Sequence, residues 1–281
     1  MTSQVLTKPV LADFGGTAPS SDLRVTQWRL LKSEWLKFWS LRSSWITLAA
    51  TVIGMIGFAA LITSVTASRY GTMTPVEQAT FDPVGTSLAG YFIAQLLVGV
   101  LGVLLVTGEY GTGMIRSTMA AAPKRLPVIW AKAIVFAVIT FTTTAVAAIV
   151  SFYVGQAMLH SQHIDTALTA PGVLRTVLGV ALYLTAVGLF GAALGWIIRS
   201  TAGGIATVFG LLLVLPNLAR ILPSSWGNHI NPYLPSNAGQ EILTWHTDAG
   251  SLAPWTGYAV FLIYVAVAFV GAAVLVKRRD A

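Results

Sequence analysis

The sequence has 281 residues, of which 55 % are hydrophobic and only 10 % are charged, with a formal net charge of +7. Soluble domains carry about 25 % charged residues and need a largely polar surface. This composition therefore excludes an ordinary soluble domain and indicates an integral membrane protein.

The N-terminal region divides into two segments. Residues 1–20 have a turn-rich composition without a helical period, which predicts a flexible cytosolic tail. Residues 21–43 predict an amphipathic helix, with Ser21 or Asp22 as its N-terminal cap.

Aromatic side chains recur along one face of that helix at spacings of three and four residues. This apolar face holds Trp28, Leu31, Trp35, Phe38 and Trp39. The predicted opposite side holds Arg29, Ser33, Lys37 and Ser40. Tryptophan and basic residues on one helix favour a position at the lipid interface. The alternative is a plain anchor, or a helix that is merely packed on its neighbours.

Six long segments nearly free of charge follow. Each is long enough to cross a hydrocarbon core of ~30 Å, which needs ~20 residues. Their approximate bounds are 45–66, 85–107, 130–158, 175–198, 202–222 and 255–276. The prediction is an all-α integral membrane protein in which residues 44–279 form a six-span transmembrane domain.

The distribution of lysine and arginine predicts the orientation of the spans. Of the 17 such residues, all but Arg69, Arg175 and Arg220 fall in the termini or in alternate connections on one side. The positive-inside rule places that side, with both termini, in the cytoplasm. The basic charge is therefore attributed to topology and anionic lipid, and nucleic acid is not an expected partner.

The connection between spans five and six, about residues 222–254, is rich in proline and aromatic residues. This content predicts short re-entrant or interfacial helices on the outer side.

Within the spans, Gly99 and Gly102 predict close helix packing. Hydroxyl groups in span three could line a path, although threonine in such helices usually bonds to a carbonyl of its own turn. These residues are Thr140, Thr142, Thr143 and Thr144.

A polar connection with a basic end separates spans two and three. Glu109 precedes a predicted helix over 114–122, where the helix dipole favours a carboxylate, and Pro123 would end that helix. Gly111 and Gly113 permit a sharp turn. The residues alone leave two interpretations equally open: a capped cytosolic loop, or a coupling helix that docks in a groove of a partner protein.

Motifs for chemistry are missing from the sequence. No lysine follows a glycine, so the phosphate-binding loop of ATPases is absent. His160 and His163 could approach each other, but only Asp165 lies near them as a further metal ligand. Cysteine is absent, which excludes thiolate catalysis. No enzymatic, cofactor or metal site is expected, and no predicted span has a charge in its middle, which argues against ion-coupled transport.

Three stretches resemble a known family. The run Thr107-Gly108-Glu109-Tyr110-Gly111-Thr112-Gly113-Met114-Ile115-Arg116-Ser117-Thr118, with Ala122-Pro123-Lys124-Arg125 after it, resembles the segment after the second span of ABC-2 type transporter permeases. Lys32-Ser33-Glu34-Trp35-Leu36-Lys37 is similar to the cytosolic interfacial helix of that family. Leu234-Pro235-Ser236-Asn237-Ala238-Gly239 resembles outer connections of its members, and the six-span layout agrees.

The resemblance implies a permease subunit of an ATP-driven exporter in a bacterial plasma membrane. Such a subunit works as a dimer, with a second copy or a paralogue, and with ABC ATPase subunits that bind ATP and magnesium. The segment after span two would contact the ATPase. By this likeness, the coupling residues are Glu109, Tyr110, Gly111, Thr112 and Arg116.

The cargo is not indicated beyond a weak preference for amphipathic or apolar molecules. The rival interpretation is a membrane scaffold or sensor that binds a partner and moves nothing. An intramembrane enzyme is disfavoured, because no set of acid, base or metal ligands is visible in the spans.

Overall fold

The computed structural model describes residues 26–121, 125–219, 221, 229–246 and 250–278. All regular structure in these ranges is helical. Six helices are long and apolar enough to cross a membrane: Arg42–Thr72, Tyr91–Gly111, Leu126–His160, Val173–Ile198, Thr201–Ala219 and Pro254–Arg278. The prediction of a six-helix, multi-pass membrane protein is confirmed.

The helices are numbered here in chain order. They are α1 (Gln27–Ser40), α2 (Arg42–Arg69), α3 (Pro75–Ala79), α4 (Pro83–Leu88), α5 (Tyr91–Gly111), α6 (Met114–Ala121), α7 (Arg125–His160), α8 (Val173–Ile198), α9 (Thr201–Phe209), α10 (Leu215–Ala219), α11 (Pro235–Gln240) and α12 (Pro254–Arg278). A π-helical turn, Gly210–Val214, joins α9 to α10.

The amphipathic helix α1 starts later than the sequence suggests. Thr26 is its cap, and the Thr26 hydroxyl accepts a hydrogen bond from the Arg29 backbone. Ser21 and Asp22, the predicted caps, lie outside the described residues, as do residues 1–20. The helix ends at Ser40, and the extended backbone of Leu41 separates it from the first span, which begins at Arg42.

Helix α8 forms the centre of the bundle. In its most apolar stretch, 83 % of the residues are buried inside the protein, because α5, α7, α9 and α12 all pack against it. The approach to α5 is close. A Cβ atom added to Gly102 would lie 2.0 Å from the Gly188 carbonyl oxygen. A Cβ atom added to Gly191 would lie 2.6 Å from the Gly99 carbonyl oxygen. The predicted packing role of Gly99 and Gly102 is confirmed.

Short helices fill the connection between α10 and α12. Asn231–Tyr233 and Glu241–Leu243 are 3-10 turns on either side of α11. Several of their apolar side chains are buried against α8 and α12, with Ile242 fully inaccessible, whereas Tyr233 is 51 % exposed. The guanidinium of Arg175 donates to the carbonyl oxygens of Thr244 and Trp245, at 2.9 and 3.2 Å, and so ties this connection to the start of α8.

Candidate functional site

Four charged side chains from three helices form a closed ring at the end of the bundle that carries α6. We define the charged ring as Glu34, Lys37, Glu109 and Lys132. The Lys132 ammonium lies 2.6 Å from Glu34 Oε2 and 2.7 Å from Glu109 Oε1. The Lys37 ammonium also donates to Glu109 Oε1, and it lies 3.7 Å from Glu34 Oε1. Positive and negative groups therefore alternate around the ring.

Helix geometry explains how these residues meet. Glu34 and Lys37 are three residues apart on α1, so they are neighbours on its surface. Glu109 lies in the last turn of α5, and Lys132 lies two turns into α7. Phe38 holds α1 in place, because it is 2 % exposed in an apolar cluster with residues of α2, α5 and α7. The ring joins α1 to two spans.

The ring is largely withdrawn from solvent. The exposed fraction of the side chain is 3 % for Lys132, 5 % for Glu109 and 7 % for Glu34, against 21 % for Lys37. A charge removed from water is tolerated only when opposite charges and hydrogen bonds compensate it. Each buried member therefore depends on the others, and Lys37 is the member that reaches outward.

One oxygen of the ring lacks a partner. Glu109 Oε2 is buried and accepts no hydrogen bond from the part of the chain that the structure describes, although Oε1 of the same carboxylate accepts from two lysines. A cavity of about 240 Å³ lies beside all four ring residues. Its remaining wall is mainly apolar and comes from α1, the start of α2 and the end of α5.

The predicted coupling residues have two different environments. Glu109 is 4 % exposed and belongs to the ring, so it does not cap α6 as the sequence suggested. Tyr110 packs edge-on against Trp196, and the Arg199 guanidinium lies 5.1 Å above its ring. Gly111, Thr112 and Arg116 are exposed.

Helix α6 anchors the exposed residues of the connection between spans two and three to the bundle. Gly113 has a φ of 72°, which glycine adopts without strain, and this residue turns the chain from α5 into α6. Ile115 and Met119 then pack into the main apolar cluster. Arg116 and Ser117 face outward between them. The predicted short helix is present up to Ala121, and Pro123 lies outside the described residues.

The tryptophans of α1 do not form its protein-facing side. Trp28, Trp35 and Trp39 are 74 %, 42 % and 49 % exposed, whereas Glu34 and Phe38 on the adjacent face are buried. Lys37, which the sequence placed on the solvent side, belongs to the ring. The helix thus presents one face to the protein and an aromatic stripe to its surroundings.

Sequence reasoning selects only Glu109 of the four ring residues, and it places Lys37 on the solvent side of α1. The sequence assigns Lys132 to the basic end of the connection, with the third span starting near residue 130, but α7 already begins at Arg125. Glu34 was not selected. The spacing of Glu34 and Lys37 was a usable signal, since such pairs commonly interact on one helix face. Nothing local links either residue to Lys132.

Of the other candidates, Thr140 is buried and its hydroxyl has no hydrogen-bond partner among the described residues. Thr142 and Thr144 donate to Val138 and Thr140 carbonyl oxygens, as threonine usually does in such helices. His160 Nδ1 lies 3.1 Å from Asp165 Oδ2, and the hydrogen bond from His160 lowers the pKa of Asp165. Within the described ranges, no three His, Asp or Glu side chains come close enough to hold a metal ion.

No protein-family model matches the sequence, and no curated protein matches it at a significant level.

Proposed function

We propose that this chain is the membrane-spanning permease subunit of an ATP-driven ABC exporter of the ABC-2 type. The observation that carries the proposal is the position of α6. This short helix displays Arg116 and Ser117 outward, while Ile115 and Met119 fix it to the bundle next to the charged ring. It can therefore receive force from outside the bundle and pass it inward.

The energy would come from another chain. The sequence lacks the Gly-Lys pair of a phosphate-binding loop. An ABC ATPase subunit that binds ATP and magnesium would dock on Gly111, Thr112 and Arg116. Both termini and α6 would then be cytoplasmic, in agreement with the positive-inside rule, and the membrane would be a bacterial plasma membrane.

The described contacts suggest how a force applied to α6 would be transmitted to the other helices. Helix α6 follows α5 after a two-residue turn, so a displacement of α6 would be passed to α5. Glu109 at the end of α5 is bonded to α1 through Lys37 and to α7 through Lys132. The glycine-mediated contact between α5 and α8 would carry the same displacement to the centre of the bundle. A pathway would open between this subunit and a second copy or a paralogue, for an amphipathic or apolar cargo.

Association with an ATPase tests the proposal. The full chain is co-expressed with each candidate ABC ATPase of its host, purified and reconstituted. A stable complex whose ATP hydrolysis drives movement of an amphipathic dye out of the inner leaflet supports the proposal. Failure of every ATPase to associate would overturn it. A complex that hydrolyses ATP and moves none of a broad panel of amphiphiles would instead favour the scaffold or sensor.

A further inference from the structure

An open groove of about 360 Å³ lies between α1 and α7, apart from the cavity beside the charged ring. Its lining consists of Trp28, Leu31, Lys32 and Trp35 of α1 and Val135 of α7. The four residues of α1 are spaced by three and four positions, so they share one face of the helix. Leu31 and Val135 belong to the apolar contacts around Phe38 and form the floor. The two exposed tryptophans form the sides, about 10.5 Å apart along the helix axis.

Two contacts fix the position of α1 on α7 and so fix the shape of the groove. The Gln27 side-chain amide donates to the Pro127 carbonyl oxygen at 3.2 Å, before the groove residues of α1. The ion pair between Glu34 and Lys132 lies near their other end, at 2.6 Å. The groove is therefore a built feature of the contact between the two helices.

The lysine at the rim of this groove has no counter-ion from the protein. Lys32 is exposed, and its ammonium makes no hydrogen bond or ion pair with the residues that the structure describes. Glu34 is the one acidic residue in the sequences of α1 and α7, and its carboxylate is already bound to Lys132. An unpaired cation beside an apolar groove favours a ligand that is both anionic and apolar.

We infer that this groove binds one anionic phospholipid of the membrane, with its phosphate on Lys32 and an acyl chain between Trp28 and Trp35. The chain lies on Leu31 and Val135. An amphipathic helix with tryptophan and basic residues lies at the boundary between headgroups and acyl chains, so phosphate and methylene groups are both within reach. The charge of Lys32 is complementary to that of the lipid.

The net charge of the lipid gives the criterion for this site. Phosphatidylglycerol carries a net negative charge. Phosphatidylcholine has the same phosphate, but its quaternary ammonium repels Lys32 and cancels that charge. A lysine near an anionic membrane surface favours the anionic lipid about fivefold, the equivalent of about 1 kcal/mol. The groove should therefore retain phosphatidylglycerol about fivefold better than phosphatidylcholine.

The experiment uses the full chain in nanodiscs made from equal amounts of phosphatidylglycerol and phosphatidylcholine. Lipids that stay bound after release into mild detergent are counted by native mass spectrometry. One retained phosphatidylglycerol per chain, with about fivefold less phosphatidylcholine, supports the inference. Equal retention of both lipids, or retention of neither, overturns it. Excess inorganic phosphate should not release the lipid, and release would assign Lys32 to free anions and overturn the inference.

A pair of lysine variants localises the preference. Lys32→Met should lower retention of phosphatidylglycerol to the level of phosphatidylcholine. Lys277→Met, which removes an exposed lysine at the end of α12, should keep the fivefold difference. The same preference in both variants overturns the assignment to Lys32. Both side chains are exposed, so both variants should keep the fold.

A pair of tryptophan variants localises the acyl chain. Trp28→Ala removes one side of the groove and should lower the retention of both lipids. Trp255→Ala, which removes an exposed tryptophan of α12, should leave the retention unchanged. Equal retention by these two variants overturns the placement of the chain. The site does not depend on the transport proposal, since it needs neither ATP nor an ATPase.

Discussion

The ammonium of Lys132 lies 2.6 Å from the carboxylate of Glu34, although 98 residues separate them in the sequence. This ion pair connects the amphipathic helix to the third span. The same ammonium also lies 2.7 Å from Oε1 of Glu109, which belongs to the second span. The helix that the sequence describes as a surface element is therefore fixed to the transmembrane bundle by buried charge.

Loss of Lys132 should destabilise the fold. Lys132→Met leaves Glu34 without its buried partner and Glu109 with Lys37 alone. Removal of one partner from a buried ion pair lowers the free energy of unfolding by about 3–5 kcal/mol. Unfolding in mixed micelles of detergent and SDS measures this change.

Lys32→Met is the matched control, because Lys32 lies on the exposed side of α1. Its free energy of unfolding should stay within about 0.5 kcal/mol of the unaltered protein. Equal stability of the two variants would show that the ring does not hold α1. Adding Glu34→Gln to Lys132→Met should cost less than the two separate effects combined, because the two residues interact directly.

Arg116 should matter for coupling and little for folding. Arg116→Ala removes an exposed cation from α6, so the thermal unfolding midpoint should not change. If an ATPase docks on α6, an arginine contact there contributes more than about 1 kcal/mol, which predicts at least about fivefold weaker ATPase association. Arg278→Ala, an exposed arginine at the end of α12, is the control and should associate normally. Equal association of both variants would remove Arg116 from the docking surface.

Glu109 is less suitable for that test. If Glu109 is a coupling residue, as the family resemblance implies, Glu109→Ala should lower transport more than folding. In the structure, however, Glu109 is 4 % exposed and bonded to two lysines, so the same change also leaves two cations short of a partner. A loss of transport in this variant is informative only when its free energy of unfolding has been measured beside it.

Gly102 should tolerate no side chain. The Cβ atom of Gly102→Ala would meet the Gly188 carbonyl oxygen at 2.0 Å, so α5 and α8 must separate. Overpacking of this kind lowers the free energy of unfolding by about 1–3 kcal/mol. Gly108→Ala on the same helix has no atom within 4 Å of the new Cβ, and should be neutral or stabilising by up to about 1 kcal/mol. A stability loss at Gly108 equal to that at Gly102 would refute the contact as its cause.

The aromatic stripe of α1 should be in contact with lipid. In vesicles of brominated phospholipid, part of the tryptophan emission is quenched. Trp28→Phe should reduce the quenched fraction, because Trp28 is 74 % exposed. Trp196→Phe should increase that fraction, because Trp196 is 1 % exposed in the bundle core. An unchanged quenched fraction in Trp28→Phe would place the stripe in water.

Local hydropathy was sufficient for the six spans. Residues that cross a membrane must be apolar over a fixed length, whatever their neighbours, so each span can be recognised by itself. The helix over 114–121 was also predictable, since glycine and a following proline mark its ends in the sequence. The predicted first residues of α1 and α7 were less accurate, because a sequence does not show which of several polar residues near a helix start is the first helical one.

The sequence by itself determined that this protein is a helical, multi-pass membrane protein, because hydropathy acts residue by residue along the chain. Only the tertiary structure decided which charges meet. The four residues of the charged ring come together because Phe38 packs α1 against the spans, and because glycines allow α5 to lie close to α8. Such pairing depends on distances of a few ångströms between distant segments, and no local pattern encodes those distances.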